Sequence, residues 1–247
     1  MAKKPRTPDP PRRVQAPKQR HAPRQGLSLQ RQRVILSGLV GAGIVGLIVV
    51  LTVVLSGGKS SSAAGNPRAV AGTIKAAGCT LSTSKASPSN LHTGSLDQPI
   101  TYSSFPPASG RHYITPAIWG NYTQEVDPRQ AVHNLEHGAV VIWVGPKVSD
   151  AERRQISDFY DESPNAMLVT PIGDTAKGVK YPKHAPPGSK IYLSAWTVEI
   201  KNGNIVGGTN VIATCPRFEE QALRAFRDEF RGKGPERFPV SSLTPGT

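Results

Sequence analysis

"HNLEHGAVVIWV", residues 133–144, is the stretch on which the architecture turns. Asp127, Pro128 and Gly138 punctuate its first half as a helix: an N-cap acceptor, a proline at the first helical position and a glycine just past the end. Its second half, Ala139–Val144, is an unbroken apolar run of the kind that fills a buried strand. The helical reading also sets the chemistry. Helix residues four apart hold their Cβ atoms about 5–6 Å apart, so His133 and His137 can share one ion. On a strand the same two residues would stand about 13 Å apart and could not.

Downstream, Ser149 with Glu152 three residues later is a capping box, and Ile156, Phe159 and Tyr160 give the helix that follows an apolar face. "AMLVTPI" (166–172) and the alternating "KIYLSAWTVEI" (190–200) predict further strands, and "VIAT" (211–214) a short fourth. "PRFEEQALRAFRDEFRGKG" (216–234) predicts an amphipathic helix with Phe218, Ala222, Leu223, Phe226 and Phe230 on one side. The strand–helix–strand order implies one right-handed crossover and therefore a mixed sheet. Upstream, Asn66, Pro67 and Gly78 mark the cap, first turn and stop of a short helix. Between Leu81 and Asp127 turn formers dominate, with short strands expected around "ITY" and "HYIT" and a loop, "FPPASGRHY", that presents His112. The expected fold is one α+β domain over residues 66–239, a small mixed sheet with flanking helices, followed by a loose tail at 240–247.

The formal charge of +13 is unevenly spread. Residues 1–33 hold ten Lys/Arg against Asp9, so they carry +9 and leave 13 − 9 = +4 for the rest. Six prolines and few large apolar residues exclude a buried core there, and a disordered cytoplasmic tail is expected. The uncharged run Val34–Leu55 has 22 residues. As a helix it would rise about 33 Å, enough for a hydrocarbon core of roughly 30 Å. The basic flank before it, against only Lys59 and Arg68 soon after, predicts a single-pass cell-membrane protein with its N-terminus inside and its folded domain outside. A cleaved signal peptide is the alternative, disfavoured by the length of the run and of the tail. "GAGIVG" (41–46) spells a dinucleotide fingerprint but lies within this span, with no acid after it until Asp97, and is rejected. Gly38, Ala42 and Gly46 form a small-residue stripe that offers a homodimer face. The basic tail reads as topology control, with nucleic-acid binding disfavoured. Residues 56–65 read as a flexible linker. Cys79 and Cys215 are the only cysteines, and export predicts that they pair, with two buried thiols as the alternative.

"PPASGRH" (106–112), "WGNY" (119–122), "HNLEHGAVVI" (133–142), "SAW" (194–196) and "GPE" (234–236) together resemble the bacterial family catalogued as domain of unknown function 3105, over roughly Ala76–Pro239. The resemblance implies an exported domain behind one membrane anchor and no established activity. His112, His133, Asn134, Glu136 and His137 match its motifs without assigned roles.

"HNLEH" also fits the inverted zinc-peptidase pattern H-x-x-E-H. In that scheme His133 and His137 are ligands and Glu136 is the catalytic base toward a metal-bound water. His112 is the expected third ligand, ahead of His92 and His184, and Asn134 supports the cluster by tying down a loop. Imidazole donors suit zinc or copper. Three functions stay open: a metal-binding envelope domain, a non-catalytic interaction module whose histidines are structural, and a metal-dependent hydrolase. Ser109 lacks the G-x-S-x-G context of a hydrolase nucleophile.

Overall fold

The computed structural model describes residues 64–247. The basic tail, the apolar run with its small-residue stripe and nearly all of the linker lie outside the described residues. Among those described, no helix is long and apolar enough to cross a membrane. In chain order the elements are α1 (Pro67–Ala76), β1 (Thr80–Lys85), β2 (His92–Thr93), β3 (Ile100–Thr101), β4 (His112–Tyr113), β5 (Gly120–Asn121), α2 (Pro128–Glu136) and β6 (Val140–Val144). They continue with α3 (Asp150–Glu162), β7 (Met167–Pro171), β8 (Val179–Lys180), β9 (Ile191–Lys201), β10 (Asn204–Cys215) and α4 (Glu220–Phe230).

Three of the four α-helices among the described residues begin where their caps direct. The Asn66 side chain accepts from the Arg68 N–H, that of Asp127 from the Arg129 N–H, and Ser149 and Glu152 close a capping box. Gly138, at φ +97°, ends the second helix in a backbone conformation that side-chain-bearing residues rarely adopt. Six strands form one mixed sheet in the order β1-β10-β9-β6-β7-β5. β6, β7 and β5 run parallel, and α3 joins the first two; β9 is antiparallel to β6, and β10 and β1 continue antiparallel. The fold is therefore α+β with a mixed sheet. The short "VIAT" strand is instead twelve residues long. Asn202 and Gly203, both at positive φ, make a two-residue turn that folds β10 back along β9.

Alternation along β6 divides the core in two. Val140, Ile142 and Val144 face α1, α3 and α4, packing with Ile74, Ile156, Phe159, Leu223 and Phe226. Val141 and Trp143 face the other way, toward α2 and the long loops, with Val132, Leu135, Trp119 and Trp196. The Cys79–Cys215 disulfide forms in the first layer, joining the approach to β1 with the end of β10 across 136 residues. The segment expected to be a loose tail is docked. Leu243 is buried in the second layer, its carbonyl accepts from the Ala166 N–H, and Trp119 exchanges backbone bonds with Gly246 and Thr247. Val240 and Leu243 supply the apolar side chains that hold it there.

Candidate metal centre

α2 packs Ala131, Val132 and Leu135 against the second face of the sheet and carries His133, Asn134 and Glu136, all three buried. Glu136 follows His133 by three positions, so both project to one side. A short parallel pair delivers two more histidines. β2 and β4 align His92 directly with His112, with the His112 N–H donating to the Leu91 carbonyl and the Ile114 N–H to that of Thr93. Asn134 fixes the chain that runs on from β4: its Oδ1 accepts from the Ala117 N–H and its Nδ2 donates to the Ala117 carbonyl, both at 2.9 Å. The His92, His112 and His133 rings lie 4.7–4.9 Å apart, centroid to centroid.

Hydrogen bonds to the backbone fix which ring nitrogens are free. His112 Nδ1 is 2.7 Å from the Gly110 carbonyl, and His133 Nδ1 is 2.7 Å from that of Tyr113. A carbonyl only accepts, so each Nδ1 carries a hydrogen and each ring turns its Nε2 into the cluster. Metal-ligating histidines are held in this way. His112 Nε2 lies 3.1 Å, and His92 Nε2 3.4 Å, from Glu136 Oε2. Apart from these contacts, His112 Nε2 and Glu136 Oε2 are buried with no further hydrogen-bond partner. Glu136 Oε1 accepts from the Asn90 N–H at 2.6 Å. Burial raises the Glu136 carboxyl, but the His112 ring and the Asn90 amide outweigh it and hold the group down to about 2. His112 Nε2 and Glu136 Oε2 therefore face one another in a dry interior, an arrangement held together either by a proton on the ring or by a cation between them.

A second group adjoins the first. His133 Nε2 is 3.0 Å from His137 Nε2, which is 2.8 Å from Glu236 Oε2. Burial pulls the His133 ring below the usual histidine value and the His137 ring down to about 4, so both are neutral at neutral pH, the state a metal ligand needs. Burial and the nearby Glu136 raise the Glu236 carboxyl. Glu236 sits on the loop after α4. Its N–H donates to the Glu136 carbonyl, and a Cβ on Gly234 would fall 2.3 Å from the Gly138 nitrogen, so this loop reaches the end of α2 only because both positions are glycine.

His92, His112, His133 and Glu136 thus place four donor atoms within 4.8 Å of one another, and His133, His137 and Glu236 place three. A tetrahedral zinc ion with bonds of about 2.1 Å sets its donors roughly 3.4 Å apart, close to the contacts around Glu136. Of the ligands expected from sequence, His112 and His133 lie in the first group, while His137 falls in the second. His92, ranked lower, enters through its pairing with His112, a tertiary contact between two-residue strands. Glu236 was part of the "GPE" motif but carried no role. Glu136 stands among the donors with its other oxygen engaged, a poor position for a base. His184 stacks on Phe105 instead, and Ser109 Oγ accepts from the Ser87 N–H. Grooves of about 570 and 300 Å³, beside α3 and beside Phe105 and Tyr181, are lined by none of the cluster residues.

The family model described as a protein of unknown function (DUF3105) matches residues 94–239, a span that includes every cluster residue except His92. No curated protein and no solved structure matches the chain.

Proposed function

The chain belongs to the DUF3105 family of proteins of unknown function, and we propose that its folded domain holds a divalent transition-metal ion, zinc or copper, on His92, His112, His133 and Glu136. The observation that carries this is the buried pair of His112 Nε2 and Glu136 Oε2, 3.1 Å apart, with the ligating nitrogens of His92 and His133 gathered around it. Neither atom has a hydrogen-bond partner outside the cluster, and a bound ion satisfies both at once. Three imidazoles suit zinc and copper, and one carboxylate adds a charge that offsets part of the ion's own.

The wider reading places this domain outside the cell membrane, behind a single helix at Val34–Leu55 with the N-terminus inside. The basic flank before that run supports the orientation, and the disulfide is of the kind kept in oxidising compartments. The Gly38, Ala42 and Gly46 stripe would let two such helices approach. The engagement of Glu136 favours holding an ion over hydrolysis with Glu136 as base. The competing reading is an interaction module in which His112 is simply protonated against Glu136.

Bound metal separates the two. The full-length chain, purified in detergent, is loaded with zinc or copper, assayed for metal content and melted with and without chelator. The metal reading expects about one ion per chain and a lower midpoint after chelation. An ion present at a hundred times its dissociation constant adds about 2.7 kcal/mol. No retained ion together with an unchanged midpoint would overturn it.

A further inference from the structure

The two donor groups meet at one nitrogen. His133 Nε2 belongs to both the inner group (His92, His112, Glu136) and the outer one (His137, Glu236). Its Nδ1 is tied to the Tyr113 carbonyl, so the ring has a single free nitrogen and serves one ion at a time. The groups also differ in their access to water. The inner carboxylate, Glu136, and His112 are fully buried, whereas the outer carboxylate, Glu236, is 28 % exposed and His137 16 %; His92, at the inner group's margin, is 30 % exposed.

We infer that the ion has two adjacent seats, an outer loading seat on His133, His137 and Glu236 and an inner holding seat on His92, His112, His133 and Glu136, and that it passes inward over His133. This rests on the metal reading above and adds an order of events to it. At the outer seat an incoming hydrated ion meets a partly exposed carboxylate, whereas the inner carboxylate is fully buried. The outer seat lies at the C-terminal end of α2, where the helix dipole favours a cation. The move inward exchanges two donors for three, all arranged around the same nitrogen, so the ion need never leave the protein. The loop bearing Glu236 is bonded to the Glu136 carbonyl, which keeps the outer carboxylate in register with the inner one.

Cobalt(II) is the probe, because its visible absorption changes with its donors while zinc is silent. It is mixed with metal-free, full-length chain in detergent and followed by stopped flow. Wild type is expected to show capture and then rearrangement, ending at one ion per chain. Glu236→Gln is expected to slow loading roughly tenfold. His112→Ala is expected to stop after the first phase, holding cobalt about 10–100-fold more weakly. His133→Ala is expected to lose both phases. Loading of Glu236→Gln at the wild-type rate would point to entry past His92, whose side chain is 30 % exposed, and would overturn the proposal. Two ions per wild-type chain would do the same, as would a His112→Ala protein of wild-type circular dichroism that binds none. If wild type takes up no cobalt, zinc or copper, the metal reading itself fails, a result distinct from these.

Discussion

Replacing Asn134 by alanine tests whether the loop between β4 and β5 is held by one side chain. Asn134 is fully buried and Ala117 is 5 % exposed. The substitution removes two hydrogen bonds and strands the Ala117 N–H and carbonyl together. Each orphaned buried group costs about 1–3 kcal/mol, and some water entry into the vacated space offsets part of that, so a loss of about 3 kcal/mol is expected. For a domain of this size that is a fall in midpoint of roughly 6–12 °C. Asn134→Asp should do no better, since it keeps the acceptor but turns a carboxylate oxygen toward the Ala117 carbonyl. The assay is thermal denaturation of the chelated proteins, so that bound metal does not contribute to the midpoint. A midpoint for Asn134→Ala within about 2 °C of wild type, well short of the change this bond loss implies, would refute the reasoning.

Three further outcomes are expected. Replacing Cys79 and Cys215 together by serine removes a cross-link spanning 136 residues and should lower stability by about 5 kcal/mol in the chain-entropy model, read by urea denaturation. Metal content should stay unchanged, because the disulfide lies on the opposite face of the sheet. Gly234→Ala forces its Cβ to 2.5 Å from the Glu136 carbonyl and should either unfold the 232–238 loop or cost about 1–3 kcal/mol, seen as a lowered midpoint and faster proteolysis of that loop. Ser149→Ala should cost about 1 kcal/mol at neutral pH. The Ser149 hydroxyl, and then the Phe218 and Ser149 backbone N–H groups, hold the Glu152 carboxyl below its ordinary value. That contribution is present above glutamate's unfolded pKa and is lost as the pH falls through the lower folded one. The gap between wild type and variant in urea should therefore narrow as the pH is lowered from neutral into the acid range, and a gap that stays constant would contradict the assignment.

The helices were legible in the sequence because their signals are local: Asn66, Asp127 and Ser149 each satisfy backbone N–H groups within a few residues. The step from α2 into β6 was legible for the same reason, and helical spacing alone is enough to bring His133 and His137 side by side. What sequence reading missed was set at long range. Nothing local in "LHTG" announces that His92 aligns with His112, since a two-residue strand has no periodicity to detect. Glu236 reaches the cluster only because Gly138 and Gly234 let two backbones touch, and a contact between such distant glycines has no local signature. The Asn202–Gly203 turn is the counter-example. Its sequence is the strongest short-range hairpin signal there is, and reading it would have given β10 its full length. The docked tail was obscured by composition, because two apolar residues among Ser, Thr, Pro and Gly look loose unless the hollow they fill is known.

The carbonyl tethers on His112 and His133 also bear on which ion the site can prefer. A ring free to turn can reshape itself around whatever arrives, but it gives up rotamer freedom when it does so. Here that freedom is already lost when the chain folds, so less entropy remains to be lost on binding. The same stiffness limits adaptation. Copper(II) favours square-planar or tetragonal surroundings, and neither tethered ring can swing to provide them without breaking its carbonyl bond. Zinc, with a filled d shell, has no directional demand of its own and accepts the angles it is offered. On the proposed metal reading, selection at this cluster is made by rigidity rather than by donor identity, and it favours the ion that asks least of the protein.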